Sequence, residues 1–344
     1  MKRSRNLLAL GVLTAVALGA LTACQPSASP PATSQPAAQQ QAPSSAFPSR
    51  AIDLVVCYSP GGGSGITAET MNKIIIDNKL SPQPFTIAYK PGATGQIGWA
   101  YVAGRKGDSH TIATMTTTTF VTAFLGESGL KMEQFTPIGV MAWDEMLMVT
   151  HLNSPLKTPQ DVIDAAKKNP GTVTVATVGA GGSDANILGL IEMKVPGVKF
   201  NAIPFNSGAE VNAAILGGQV DLAISNPNEL LPNIEAGKLR PITVFSDKRM
   251  SAIKDVPTMK ESGYDVGFTI GRGVVAPAGI PAADAKWLED TMRKVTASPA
   301  WKEYADKNMM TVEFLDSAQT GKYLADLQPT LTDVLTHIGV IKKK

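Results

Sequence analysis

From residue 50 onward the chain repeats one local order: a short apolar run, a glycine-rich turn, then a segment with helical spacing. That order constrains the fold more than any other feature. A strand followed by a helix buries both apolar faces only when helices cover a mostly parallel sheet. The spacing predicts strands over 52–58, 85–89, 111–115, 138–140 and 146–150, with helices over 66–79 and 97–103. A second set follows, with strands over 172–177, 199–204, 220–225 and 242–246 and helices over 159–168, 185–193 and 209–216. The stretch 267–275 leads the chain back, and 284–296 and 299–308 are C-terminal helices. Thr158 followed by Pro159 opens one helix as N-cap and first position, and Gly217-Gly218 stops another. About 300 residues exceed one compact core and suffice for two lobes of about 150 each.

The 344 residues carry 31 basic and 29 acidic side chains, a net charge of +2. Nucleic-acid binding needs a concentrated basic face, so no nucleic-acid partner is expected. The closing Lys342-Lys343-Lys344 reads as a solvated end. Cys24 and Cys57 are the two cysteines, and neither lies in a CxxC pattern. Cys57 sits in an apolar run and reads as a buried strand thiol.

The N-terminus has its own logic. Lys2, Arg3 and Arg5 precede an uncharged apolar stretch over 7–20, shorter than a membrane span and of signal-peptide length. Leu21-Thr22-Ala23-Cys24 then resembles the lipobox of bacterial lipoproteins, which implies a signal peptide over 1–23 and a lipid on Cys24. Residues 25–46 are rich in Pro, Gln, Ser and Ala and hold no charge, so 24–46 reads as a disordered tether. Such a coil averages roughly 25 Å end to end and reaches about 70 Å when extended.

Three turns between strand and helix stand out: Ser59-Pro60-Gly61-Gly62-Gly63-Ser64-Gly65, Pro91-Gly92-Ala93-Thr94-Gly95-Gln96-Ile97-Gly98 and Val178-Gly179-Ala180-Gly181-Gly182-Ser183-Asp184. Glycine lets several backbone N–H groups converge, and the following helix adds its unpaired N–H groups and positive dipole end. This makes an anion pocket that needs no basic side chain. The first turn is not a nucleotide-binding P-loop, because no Lys-Ser or Lys-Thr pair follows at the required spacing.

Together with other short segments these turns resemble the substrate-binding receptors of tripartite tricarboxylate transporters, the Bug family of periplasmic binding proteins. The further segments include Gly107-Asp108-Ser109-His110-Thr111, Ile203-Pro204-Phe205-Asn206-Ser207-Gly208, Leu216-Gly217-Gly218-Gln219-Val220-Asp221, Asp255-Val256-Pro257-Thr258 and Ala276-Pro277-Ala278-Gly279. Their order and spacing carry the match. The resemblance implies an α/β, two-lobed type II periplasmic-binding-protein fold of mostly parallel sheets, with the ligand cleft between lobes. Lobe I is expected over 47–147 and 268–344, and lobe II over 148–267. It implies ligand contacts from Pro60, Gly61, Gly62, Gly63 and Ser64, with Gly95, Gln96 and Ile97 on the same side. Gly179, Gly181, Gly182 and Ser183 would face them, with Asn206 and Asp221 nearby. The implied ligand is a small carboxylate, a di- or tricarboxylate or an aromatic acid. The implied partners are integral membrane transporter subunits and, through the lipid, the membrane. A monomer is expected. An Asp commonly follows the first turn in that family, and Gly65 stands there instead, which points to a solute without an amino group. Asn186 stands where the family often has His.

The same fold would serve a binding lipoprotein of an ABC importer or a sensor system, and that alternative stays open. An enzyme reading lacks a reactive set: His110, His151 and His337 fall in no HExxH or HxH pattern, no GxSxG elbow exists, and no base stands beside Ser183. No cofactor and no metal site are expected. Phe120 and Trp143 are the first choices for a ring-bearing ligand, and Asp144 and Glu145 read as a solvated hinge face.

Overall fold

The computed structural model describes residues 47–61, 63–125, 129–178, 181–205 and 207–342. The signal peptide, Cys24 and the tether lie outside the described residues, as do Gly62, Gly179 and Asn206. Two five-stranded sheets organise the described chain, and both belong to one contact unit, Ser45–Lys344.

The first sheet has β1 (Ile52–Val56), β2 (Phe85–Tyr89), β3 (Thr111–Thr116), β4 (Phe135–Glu145) and β10 (Thr269–Pro277), in the order β2-β1-β3-β10-β4. The second has β5 (Leu147–His151), β6 (Thr174–Val178), β7 (Asn201–Phe205), β8 (Leu222–Ser225) and β9 (Leu239–Val244), in the order β7-β6-β8-β5-β9. We call the halves built on them lobe I and lobe II.

In lobe I, β1 pairs in parallel with β2 and β3, while β10 runs antiparallel between β3 and β4. In lobe II, β6 pairs in parallel with β7 and β8, while β5 runs antiparallel between β8 and β9. Four strands of each sheet therefore share a direction and one opposes them. The opposed strand is the one by which the chain enters from the other lobe. It arrives at the edge where the other strands end, so it must run back along them. Met146 alone separates β4 from β5, and the return runs through residues 245–268. The two crossings are tied together: Phe245 N donates to Met146 O at 3.1 Å, and Phe268 N donates to Phe245 O at 2.7 Å.

The helices follow the expected order: α1 (Gly63–Asp77), α2 (Gln96–Ala103), α3 (Thr117–Thr122), α4 (Pro159–Lys168), α5 (Ser183–Lys194), α6 (Gly208–Leu216), α7 (Pro227–Glu235), α8 (Ala282–Thr296), α9 (Pro299–Lys307) and α10 (Ser317–His337). Thr158 caps α4, accepting from Asp161 N at 3.1 Å, and the Asp161 carboxylate accepts from Thr158 N at 3.0 Å. α3, α7 and α10 were not foreseen. α10 runs through Pro329, which removes one helical hydrogen bond. Burial of Leu324, Leu331, Val334 and Leu335 offsets that, at roughly 1.5–3 kcal/mol per side chain.

α10 touches both lobes. Near its start Ser317 Oγ donates to Pro137 O at 2.6 Å, and Tyr323 stacks edge-on against Trp143. Its second half lies on α5, where Gly189 admits it closely: a Cβ there would stand 2.7 Å from Val334 Cγ1. One core cluster covers the α1, α8 and α9 face of the first sheet and includes Ile52, Leu54, Met71 and Trp301. Another runs through both lobes, from Trp99 and Phe120 to Ile187 and Val334.

Candidate functional site

Ligands of parallel α/β sheets sit where strands end and helices begin. Here those edges of the two sheets border one cavity of about 1600 Å³. Gln96 and the α3 residues Thr118, Thr119 and Thr122 contribute from lobe I, and Gly181, Gly182, Ser183 and Asp184 from the β6–α5 turn of lobe II. Gly208, Ser225 and Glu229 come from the next two lobe II junctions, Met146 from the crossing, and Lys342 from the chain's end.

The site residues read from the sequence distribute unevenly. Gln96, Gly181, Gly182 and Ser183 line this cavity. Pro60, Gly61, Gly63, Ser64, Gly95 and Ile97 sit on the same edge of lobe I, outside the cavity wall. Their turns are joined: a Cβ on Gly95 would stand 2.9 Å from Tyr58 Oη, so glycine is what lets the second turn close against the end of β1. Gly61, at φ +82°, is exposed and needs glycine for its backbone. Asp221 belongs elsewhere. Its carboxylate accepts from Thr174 N at 2.8 Å and Thr174 Oγ1 at 2.7 Å, where β6 begins, at the opposite end of the sheet from the cavity. It clasps the strand starts, and we leave it out of the candidate site.

The third turn is held by its own acid. Asp184 is buried, and its carboxylate accepts from Ala185 N at 2.9 Å and from Val178 N. Burial pushes its carboxyl up to about 6, against these hydrogen bonds, and the Glu229 charge adds to the rise. Asn186, fully buried, donates through Nδ2 to Gly182 O at 2.9 Å and to Gly181 O at 3.2 Å, so it shapes the turn from beneath. Glycine is obligatory at 182, where a Cβ would stand 2.4 Å from Val178 O.

Lobe I has a charge that the sequence reading did not foresee. Arg272 on β10 pairs with Asp144 at 2.5 Å, and a Cβ on Gly63 would meet its Nη1 at 2.9 Å. A guanidinium thus backs the first glycine turn. Asp144 and Glu145, expected on a solvated face, are both buried: one holds Arg272 and the other accepts from Thr311 Oγ1 at 2.6 Å. A buried carboxylate needs such a partner. Phe120 and Trp143 are also packed away, Phe120 among Trp99, Phe124 and Phe135, and Trp143 against Tyr323. Phe124 is the ring at the cavity instead. The cavity residues missed include Thr118, Thr119 and Thr122 of lobe I and Ser225 and Glu229 of lobe II; for the first group the signal was Thr116-Thr117-Thr118-Thr119 directly after an apolar strand.

The histidines have structural partners. His110 Nε2 accepts from Ser49 N at 3.1 Å, His151 Nδ1 accepts from Asn153 N at 3.3 Å, and His337 Nε2 lies 3.1 Å from Glu192. Among the described residues no three His, Cys, Asp or Glu side chains are grouped to hold a metal ion. Cys57 is buried, which pushes its thiol up to about 12 and leaves it inert.

Comparison with known proteins matches residues 70–340 to the family described as "Tripartite tricarboxylate transporter family receptor". The "UPF0065 protein in gbd 5'region" of Cupriavidus necator is 28% identical over 296 residues, covering 85% of this chain and 89% of that protein. "Protein BugT" of Bordetella pertussis is 28% identical over 285 residues, covering 81% and 86%. The crystal structure of a TctC solute binding protein from Polaromonas superposes with a TM-score of 0.74 at 26% identity, over 84% of this chain and 99% of that one. With a family match over most of its length, two sheets facing one cavity and the fold of these receptors, the chain belongs to the tripartite tricarboxylate transporter receptor family.

Proposed function

We propose that this chain is an extracytoplasmic solute-binding lipoprotein that captures a small carboxylate between its lobes and presents it to a tripartite tricarboxylate-type secondary transporter. The observation that carries the reading is the cavity bordered by the strand-to-helix junctions of both sheets in a chain of this receptor family. Two structures of the same fold support the ligand class: MatC from Rhodopseudomonas palustris was solved with malate, and a second protein of that organism with adipate. They are 20% and 22% identical to this chain, with TM-scores of 0.69 and 0.71.

In this reading lobe I comprises 47–147 and 268–344 and lobe II 148–267, and the tied crossings at Met146 and Phe245 serve as the hinge. Backbone N–H groups of the lobe I turns hold the carboxylate, and lobe II completes the contacts on closure. The closed form gains stability because only it pairs both ends of the solute. Among the described residues no helix is long and apolar enough to cross a membrane, so passage of the solute falls to the transporter subunits. The lipobox at Cys24 would keep the receptor beside them.

A thermal-shift screen tests the ligand class. A saturating carboxylate at about 100 times its Kd adds about 2.7 kcal/mol of stability, whereas neutral sugars should add nothing. Stabilisation by sugars and by none of the di-, tri- or aromatic carboxylates would overturn the reading. Palmitate labelling that persists in Cys24→Ala would overturn the anchor alone.

A further inference from the structure

The walls of the cavity differ in what they leave unpaired. On lobe I, α1 and α2 carry no acidic residue in their first turns. Thr118 on α3 is 2% exposed, lines the cavity, and its Oγ1 has no protein partner. Thr122, one helical turn on, is half-buried, and its Oγ1 likewise has no protein partner. A buried hydroxyl left unpaired costs free energy until something bonds to it. None of the helices opening on this wall places an acidic side chain in its first turn, and the acid nearest in the fold is Asp333 on α10, which packs on α3.

Lobe II is the reverse. At the β6–α5 turn the Asp184 carboxylate already takes up Val178 N and Ala185 N, the donors on either side of the turn. At the start of α7, the Glu229 carboxylate accepts from Ser225 Oγ at 2.6 Å and is exposed at the cavity wall. A Cβ on Gly208 would stand 2.3 Å from Glu229 Oε2, so that glycine keeps the carboxylate room. Asp333 of α10 adds a third acid, against Lys342 as the base, among the described residues lining the cavity. Between the walls lie Met146 and Ile270, both buried and apolar.

We propose that the solute carries one carboxylate and, at its other end, a cationic amino group, with an apolar chain between them. Lobe I takes the carboxylate through the opening of α2 at Gln96 and the Thr118 and Thr122 hydroxyls. Glu229, with Asp184 behind it, reads the amino end. A second carboxylate there would meet the like charge of Glu229, which disfavours it. The inference rests on the carboxylate-receptor reading and narrows it. It also replaces the expectation, drawn from Gly65, of a solute without an amino group.

Length-matched pairs test it: succinate with 4-aminobutanoate, glutarate with 5-aminopentanoate, and adipate with 6-aminohexanoate. Binding to the full chain is read by calorimetry and thermal shift. The amino acid of the best-bound pair should bind about tenfold or more tighter than its diacid, an effect the size of one ionic contact. Glu229→Gln should bring that pair to within about threefold, with calorimetry and the unliganded Tm confirming that the variant is folded. If the diacids bind tighter in wild type, the inference fails while the carboxylate receptor stands. If none of the six binds, the inference fails, and the carboxylate reading is decided by the tricarboxylates and aromatic acids of the thermal-shift screen. The wild-type ranking decides the matter even where the variant does not fold.

Discussion

On the lobe I edge, α1, α2 and α3 start without an acidic residue in their first turn, whereas on the lobe II edge α5, α6 and α7 start with Asp184, Glu210 and Glu229. Both edges are made by the same element, a strand running into a helix. A carboxylate at a helix N-terminus gains typically 0.3–1 kcal/mol from the dipole and the unpaired N–H groups. Lobe II collects that gain from its own side chains, while lobe I leaves it for a guest. Two sheets of one architecture thus present opposite offers to the space between them, and the difference lies in which residue opens each helix.

The comparison can be broken at several points. The largest effect is expected behind the first glycine turn, where Arg272→Ala strands the buried Asp144 carboxylate. Unfolding by urea should show a loss of about 3–5 kcal/mol, and the double variant Arg272→Met/Asp144→Leu should recover most of it. A single variant within 1 kcal/mol of wild type would remove the guanidinium from the support of lobe I. Next comes pH. Burial raises the Asp184 carboxyl from 3.8 to about 6, so the folded state keeps the proton more tightly than the unfolded chain. Stability from this group is full below about pH 4 and is lost as pH rises through 6. Asp184→Asn should therefore gain on wild type by up to about 3 kcal/mol between pH 4 and pH 7.5. A flat difference would mean the acid of the third turn is not desolvated. Gly182→Ala forces a Cβ against Val178 O and should cost about 1–3 kcal/mol in thermal unfolding. Gly61→Ala meets no atom within 4 Å and bears only its positive φ, so it should cost about 1–2 kcal/mol at most and sharpen the contrast between an open turn and a packed one.

How much was legible beforehand follows from what each element depends on. Strand 85–89 and helix 159–168 were read to the residue, because a bounded apolar run and a Thr-Pro opening are local signals. β4 is longer than the stretch 138–140 predicted, because its ends are defined by pairing with β10 across the sheet. α10 was missed because Pro329 interrupts its pattern, and what sustains it is burial against both lobes. Within the site, glycine turns announced themselves, so Gln96, Gly181, Gly182 and Ser183 could be named. Asp221 was drawn in by the family resemblance of its segment, yet its partner is Thr174, a contact only the sheet reveals. Arg272 and Asp144 lie 128 positions apart in the chain and meet because β10 and β4 are adjacent. No local pattern marks such a pair. Thr118 was visible in the threonine run 116–119, with Thr122 three residues past its end, but a threonine after a strand speaks for a ligand only once its hydroxyl is seen unpaired at a cavity.

A crystal structure of the full chain with the tightest of the six matched acids tests the central claim most directly. The account predicts the solute in the cavity between the sheets, with its carboxylate bonded to the α3 hydroxyls or the glycine turns of lobe I. A carboxylate seated on the α5 or α7 openings of lobe II, or a solute bound outside that cavity, would contradict it.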